Sequence, residues 1–263
     1  MTKLKVLAAA TIAGASMMVS ATASADVCDD IGWKQFKAAA ISAYDFTLST
    51  GFHLGMWATL VNETGRVCYV YSVDGAAGAD NGGKAAGNTA WLGSRVISIQ
   101  KANTANAFSL NELAISGGAL TVATYEGGSL FGLQASNPVD ASRAYAGPAS
   151  DYGKKADPAV GKRIGGLNVF GGAVALYSSD LDDDGNPVKI GAVGVSGDTS
   201  CRDHTMAYRL RLGLGFANEP NDDGLELIDT TTTPLSGLFQ QPACGVSDPA
   251  PTVYQANGDN GIR

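Results

Sequence analysis

Residues 171–203 read GGAVALYSSDLDDDGNPVKIGAVGVSGDTSCRD, and this stretch carries the clearest fold signal in the chain. Two runs of β-branched and small apolar residues, from Ala173 to Tyr177 and from Val188 to Val195, flank a polar turn from Asp180 to Asn186. Strand-forming runs on both sides of a turn rich in Asp, Gly and Asn predict a β-hairpin. The Gly-rich strand from Ile190 to Gly197 also predicts that a helix packs close to the sheet, because glycine leaves room for a neighbouring backbone.

A helix is predicted after Ser200, because apolar residues recur there at helical spacing. Asp203 follows Ser200 by three residues, which is the spacing of a capping box at a helix N-terminus. The inward face of this helix consists of Met206, Ala207, Leu210 and Leu214.

Two helices and another hairpin are predicted upstream. The first helix has an apolar stripe and is capped by Asp29 or Asp30. The hairpin joins a strand from Met56 to Val61 with one from Val67 to Val73. The second helix extends to about Phe108. The two stripes are Trp33, Phe36, Ala40, Tyr44 and Leu48 in the first helix, and Leu92, Val96, Ile99 and Ala102 in the second.

The middle of the chain has weaker patterns. We expect a short helix from Leu110 to Ile115, a strand from Ala119 to Tyr125, and then a long loop that contains Pro138, Pro148 and Pro158. Together with the two hairpins, these elements predict an α+β fold: a single antiparallel sheet of about five strands with flanking helices.

The first residues predict export. Lys3 and Lys5 precede an apolar run and the small residues Ala23-Ser24-Ala25, which is typical of a cleaved signal peptide. The expected organisation is a signal peptide over 1–25, one domain over 26–217 that begins at Asp26, and an irregular tail over 218–263. We therefore expect a periplasmic or secreted protein that does not span the membrane.

The net charge excludes one class of partner, and the cysteine content predicts disulfide bonds. The formal net charge of −7 opposes binding to phosphate backbones, so nucleic acid is excluded as a partner. The even number of cysteines in an exported chain predicts disulfides. We favour Cys201 with Cys244, because this link tethers the tail, and Cys28 with Cys68 as the remaining pair.

Several segments resemble the GlcG/HbpS family and the C-terminal domains of PduO proteins. They are Gly171-Gly172-Ala173-Val174-Ala175-Leu176, Ile190-Gly191-Ala192-Val193-Gly194-Val195-Ser196-Gly197 with Asp203, Lys101-Ala102-Asn103-Thr104-Ala105, and Asp74-Gly75-Ala76. The resemblance covers roughly residues 33–215. It implies a profilin-like, three-layer fold, a homo-oligomer, and the binding of a small molecule, heme in some members.

The resemblance places a heme-ligating histidine on the first helix, but this chain has none between Trp33 and Thr50. The only histidines are His53 and His204, so they are the candidate axial ligands. Met56, Met206 or a tyrosine is the candidate second ligand.

Three other interpretations stay open. Asp180, Asp182, Asp184 and Gly185 match the first half of a calcium loop, although Gly191 stands where such a loop needs glutamate and a solvated turn explains the acids equally well. Ser196, Asp203 and His204 suggest a small redox or hydrolytic enzyme, while a non-catalytic structural or interaction protein of the envelope is the third alternative.

Overall fold

One antiparallel sheet forms the middle of the structure. The computed structural model describes residues 26–46, 51–73, 93–237 and 239–244. The sheet contains β1 (Met56–Asn62), β2 (Val67–Val73), β3 (Ala173–Leu181) and β4 (Pro187–Ser196), in the order β2-β1-β4-β3. Both predicted hairpins are therefore confirmed, and they join through the central pairing of β1 with β4.

Helices cover both faces of this sheet. The helices at the N-terminus are α1 (Val27–Asp30) and α2 (Trp33–Phe46), and α3 (Ser94–Phe108) follows β2. Two single turns, α4 (Leu133–Ser136) and α5 (Ala141–Ala144), precede β3, and α6 (Ser200–Leu214) follows β4. One core lies between the sheet and α1, α2 and α6, and another lies between the opposite face and α3. The structure is thus the three-layer α+β fold that the resemblance implies.

The predicted strand from Ala119 to Tyr125 is wrong. This segment forms two 3-10 turns, Gly117–Leu120 and Val122–Thr124, so the main sheet has four strands and not five. The Thr121 hydroxyl hydrogen-bonds the Gly118 and Val169 carbonyl oxygens, and these local bonds compete with a strand ladder. The helix expected from Leu110 to Ile115 is also absent, since the Ser109 hydroxyl bonds both the N–H and the C=O of Ile115.

The predicted helix caps differ from the observed ones. Asp26 caps α1 by accepting a hydrogen bond from the Cys28 N–H, whereas Asp29 and Asp30 lie inside that helix. Thr199 caps α6 by accepting from the Arg202 N–H, so Ser200 is not the cap. The observed caps lie one to several residues before the expected ones, because several neighbouring Asp, Ser and Thr residues can all act as caps.

The long loop before β3 is anchored by a buried ion pair. The Asp157 carboxylate accepts hydrogen bonds from the Arg95 guanidinium, with an Nε to Oδ2 distance of 2.8 Å, and from the N–H groups of Gly153 and Ala159. Both charged side chains are almost completely buried. A loop with three prolines therefore has a defined path over the α3 side of the sheet.

The tail is only partly irregular. Its described part contains β5 (Glu226–Ile228) and β6 (Gln240–Pro242), which pair in parallel. The signal-peptide segment and the Asp74-Gly75-Ala76 turn lie outside the described residues. Within the described residues, no helix is long and apolar enough to cross a membrane.

The four cysteines pair as expected, Cys28 with Cys68 and Cys201 with Cys244. The first disulfide joins α1 to β2, and the second joins α6 to the residues after β6. Each link therefore connects a terminal segment to an element of the three-layer core.

Gly194 allows α3 to contact the sheet backbone directly. A Cβ atom at this position would overlap the Ser98 carbonyl oxygen and the Ala102 amide nitrogen. The close approach of a helix to the Gly-rich strand, predicted from the sequence, is therefore confirmed at this residue.

Gly194→Ala should lower the free energy of unfolding by about 1–3 kcal/mol, because the added methyl group forces α3 away from β4. Urea denaturation measures this loss. Gly32→Ala is the matched control, since no atom lies within 4 Å of a Cβ atom at Gly32. Equal stability of the two variants would contradict the proposed contact.

Candidate functional site

His53 lies in an exposed loop immediately before β1. Its φ angle of 59° is in the left-handed region, which few residues other than glycine adopt. The neighbouring Phe52 side chain is 60% exposed, so an imidazole and an apolar ring lie next to each other on the surface. Strained backbone of this kind persists where surrounding structure holds it, and it is enriched at functional sites.

The Asp198 carboxylate holds this loop. Its two oxygens accept hydrogen bonds from the Phe52 and Leu54 N–H groups, at 2.8 and 2.9 Å, on either side of His53. Asp198 also forms a fully buried ion pair with Arg202 at 2.7 Å. The negative charge of Asp198, which holds the loop, is thus neutralised by Arg202 inside the protein.

Tyr44 supports the same arrangement from α2. The Arg202 guanidinium lies 4.8 Å from the centre of the Tyr44 ring, and the Tyr44 hydroxyl donates to the Leu54 carbonyl oxygen at 3.2 Å. Sequence patterns do not single out Asp198 and Arg202. Their only local signal is the spacing of an acid and a base one helical turn apart, which is common on solvated helix surfaces.

His204 occupies a different environment. It is fully buried in α6, and its Nδ1 accepts a hydrogen bond from the Gly172 N–H at 3.4 Å. The candidate second ligands Met56 and Met206 are also fully buried, in the core between the sheet and α6. Of the two candidate axial histidines, the structure therefore places only His53 at the surface.

Asp203 pairs with Lys101 in the interior. The Lys101 Nζ and Asp203 Oδ2 atoms are 2.8 Å apart, and both side chains are nearly inaccessible. The other oxygen of Asp203 accepts a hydrogen bond from the Asp198 N–H. Burial raises the pKa of the Asp203 carboxyl to about 6, although the Lys101 ammonium lowers it. Asp203 and His204 thus face different partners, and the structure does not bring them together as a catalytic pair.

Glycine at position 172 makes room for this ion pair. Its φ angle is 120°, and a Cβ atom there would lie 3.0 Å from the Lys101 Nζ and 2.9 Å from the Asp203 Cβ. The lysine of α3 can therefore reach the first turn of α6 past the start of β3.

The structure does not support calcium at the acidic turn. The Asp182 carboxylate accepts hydrogen bonds from the Asp184 and Asn186 N–H groups and from the Asn111 side chain. In the described residues, the only group of three acidic, cysteine or histidine side chains with ligand atoms within 4.8 Å is Asp26, Cys28 and Cys68. Those cysteines form a disulfide, and Asp180, Asp182 and Asp184 form no such group. The hydrogen bonds of Asp182 explain the acidic residues as parts of a stabilised turn.

An open cleft of about 530 Å³ lies at the other end of α3. It is lined by residues of the β1–β2 turn, the C-terminal half of α3 and the start of β4. Lys189 lines the cleft and donates from Nζ to the backbone and side-chain oxygens of Asn106. Burial lowers the pKa of the Lys189 ammonium. The volume is in the range of small-molecule sites, but the cleft is open to solvent, and its lining combines amide, hydroxyl and ammonium groups with apolar surface.

Residues 83–210 match the family model of the haem degrading protein HbpS-like. This match confirms the resemblance to HbpS proteins. It includes Lys101, Gly172, Asp203 and His204, whereas His53 lies outside it. No curated protein matches the sequence.

Two solved structures are similar to this chain. The crystal structure of the PduOC–heme complex is 17% identical, with a TM-score of 0.44 over 72% of this chain and 98% of that chain. The Klebsiella pneumoniae protein ORFY is 19% identical, with a TM-score of 0.42 over 69% of this chain and 86% of that chain. These similarities are too weak to support an argument about the ligand, and the homo-oligomer stays a prediction.

Lys101→Met should destabilise the protein by about 3–5 kcal/mol at neutral pH, because it leaves the Asp203 carboxylate buried without its cation. The folded-state pKa of Asp203 lies above its ordinary value of 3.8, so its contribution to stability falls as pH rises from about 4 to about 6. Loss of Lys101 raises that pKa further. The defect should therefore be larger at pH 8 than at pH 4, as measured by urea denaturation.

Lys34→Met is the surface control, because Lys34 is exposed on α2. The double variant Lys101→Met/Asp203→Asn should be more stable than Lys101→Met alone at pH 8, since it contains no buried charge at this position. A defect that is independent of pH would contradict the assigned pairing.

Proposed function

We propose that the protein binds heme at its surface and that His53 supplies the axial imidazole. The supporting observation is the contrast between the two histidines of the chain: His53 is exposed, whereas His204 is buried and bonded to the Gly172 N–H. The match to a family described as haem degrading makes heme the ligand class to test first.

The residues around His53 fit such a ligand. A neutral imidazole is a strong ligand for heme iron, and the exposed Phe52 ring offers an apolar surface for the porphyrin. The Asp198 carboxylate fixes the backbone on both sides of His53, so less freedom is lost when a ligand binds. Heme would supply the iron, and the protein would supply the imidazole, its orientation and the apolar contact.

The proposal concerns binding and not turnover. The enzyme alternative relies on Ser196, Asp203 and His204, which are all buried. Asp203 pairs with Lys101, and His204 accepts from Gly172, so neither side chain faces an accessible reaction site.

A small polar molecule in the Lys189 cleft is the second candidate. The cleft combines one ammonium group with the side chains of Asn103, Asn106 and Asn137. Each of these three amide groups already donates to a backbone carbonyl oxygen, which leaves fewer groups for a ligand. Heme at His53 is therefore the stronger proposal.

His53→Asn should shift the Soret band of bound heme and weaken binding in a heme titration by about tenfold or more, which corresponds to at least about 1.4 kcal/mol. Asparagine tolerates left-handed backbone, so the loop should keep its conformation. His204→Asn is the matched control, because an asparagine oxygen can still accept from the Gly172 N–H. That variant should bind heme like the unmodified protein.

Two outcomes would contradict the proposal. An unchanged spectrum in His53→Asn would show that His53 is not the axial ligand. A changed spectrum in His204→Asn alone would show that the buried histidine is the ligand. Circular dichroism of both variants separates loss of binding from loss of folding.

We also propose that the protein is exported and cleaved before Asp26. The two disulfides are typical of an oxidising compartment. The Asp26 carboxylate caps α1 and bonds Asn62 and Arg66, so the folded domain uses the first residue after the expected cleavage point.

N-terminal sequencing of the protein recovered from the periplasm or medium should give Asp26 as its first residue. Replacing Ala23 and Ala25 by a bulky residue should block cleavage, because signal peptidase requires small residues there. Recovery of a chain that begins at Met1 outside the cytoplasm would contradict this prediction.

A further inference from the structure

The two disulfides have similar access but different surroundings. Each joins one buried cysteine, Cys201 or Cys68, to one that is half-buried, Cys244 or Cys28. A reductant therefore reaches one sulfur in each link, and the buried sulfur becomes the leaving group. The pKa of the leaving thiol controls how fast such exchange occurs.

Hydrogen-bond donors surround the Cys201–Cys244 link. The Cys244 Sγ accepts from the Cys201 N–H at 3.2 Å and lies 3.5 Å from the Ser200 hydroxyl. The Gln241 side-chain N–H lies 3.6 Å from the Cys201 Sγ. Cys201 is also in the first turn of the 15-residue helix α6, where the helix dipole stabilises a thiolate.

Oxygen atoms surround the Cys28–Cys68 link instead. A carboxylate oxygen of Asp26 lies within 4.8 Å of both sulfurs, and the Cys68 Sγ is 3.8 Å from the Arg66 carbonyl oxygen. The Arg66 guanidinium pairs with Asp26 and offsets part of that charge. A thiolate at Cys68 is nevertheless less favoured than one at Cys201.

The Cys201–Cys244 link also attaches a C-terminal segment to α6. We call residues 219–237 and 239–244 the C-terminal strap. Its first part is held by Asp223, which forms a bidentate, buried ion pair with Arg211, and its end is held by the disulfide. One face of α6 carries Cys201, His204, Tyr208 and Arg211, because they recur at intervals of three and four residues. His204 thus lies on the face to which both ends of the strap are attached.

Gln241 inserts into a notch between two glycines. It is 1% exposed, and its Oε1 accepts from the Gly171 N–H at 3.0 Å. A Cβ atom at Gly118 or Gly171 would lie 3.1 or 3.0 Å from that oxygen. The notch therefore fits the strap closely, and Gly171 is adjacent to the residue that donates to His204.

We propose that Cys201–Cys244 is a redox-active disulfide, and that its reduction by a dithiol releases the C-terminal strap and opens the His204 face of α6. A thiolate of the dithiol attacks the Cys244 Sγ, the Cys201–Cys244 bond breaks, and Cys201 leaves as a thiolate. The second thiol of the reductant then displaces Cys244. The dithiol gives up two electrons and two protons and becomes a cyclic disulfide, and the protein gains two thiols.

Release follows from the loss of the covalent anchor. After reduction, Cys244 is no longer bonded to α6, and the end of the strap is retained by the Gln241 hydrogen bonds in the notch and by the bond from the Phe239 N–H to the Ala119 carbonyl oxygen. The Arg211–Asp223 ion pair still holds the other end of the strap. The strap therefore opens from its C-terminal end, next to Cys201 and one helical turn from His204, and this inference does not depend on heme binding.

The test is stepwise reduction of the native protein with dithiothreitol, alkylation with iodoacetamide and peptide mass spectrometry. Cys201 and Cys244 should become alkylated at least about tenfold faster than Cys28 and Cys68, because a lower leaving-group pKa speeds exchange. In the same samples, diethylpyrocarbonate should modify His204 only after Cys201–Cys244 has been reduced. His53, which is exposed, should react throughout and provides an internal reference.

The double variants Cys201→Ser/Cys244→Ser and Cys28→Ser/Cys68→Ser form a matched pair. His204 should react without reductant in the first and remain protected in the second. If the first variant does not fold, the reduction kinetics of the unmodified protein still decide the question. Simultaneous reduction of both links, earlier reduction of Cys28–Cys68, or protection of His204 after Cys201–Cys244 is reduced would each overturn the proposal.

Discussion

The buried ion pair between Lys101 and Asp203 is the interaction on which the arrangement of layers depends. It connects α3, on one face of the sheet, to the first turn of α6, on the other. Removing two charges from water is costly, so the pair is tolerable only where its geometry is close and its remaining atoms are bonded. Gly172 provides the space, and the Asp198 N–H bonds the second oxygen of Asp203. The interaction therefore fixes the two helices relative to the end of β3.

Two carboxylates connect this buried ion pair to the loop that carries His53 at the surface. Asp203 accepts from the backbone of Asp198, and the side chain of Asp198 accepts from the residues on both sides of His53. The position of an exposed histidine is thus determined by charges inside the protein. A mutation in the core can change the orientation of that imidazole without contacting it.

Local patterns predict the hairpins, α3 and α6, because period-two and helical spacing are set by residues close in sequence. They fail between Ala119 and Tyr125, where the Thr121 hydroxyl bonds nearby carbonyls and β propensity does not decide the structure. The candidate site is harder to predict. The burial of His204 and the hydrogen bonds from the Phe52 and Leu54 N–H groups to Asp198 come from contacts between segments far apart in sequence, so no spacing rule predicts them. Both disulfide pairs were expected, because a Cys201–Cys244 link tethers the tail to the last helix and leaves Cys28 to pair with Cys68.

The sheet order has a consequence for how the chain folds. Each hairpin closes over a short turn, but the central pairing of β1 with β4 brings together Trp57 and Ser196, which are far apart in sequence. Pairings between distant segments form slowly, because the entropy of closing the intervening chain is lost before the contacts form. Until they meet, β1 and β4 are open edges that can pair with another molecule. The nascent chain is therefore most prone to aggregation after both hairpins have formed and before they join.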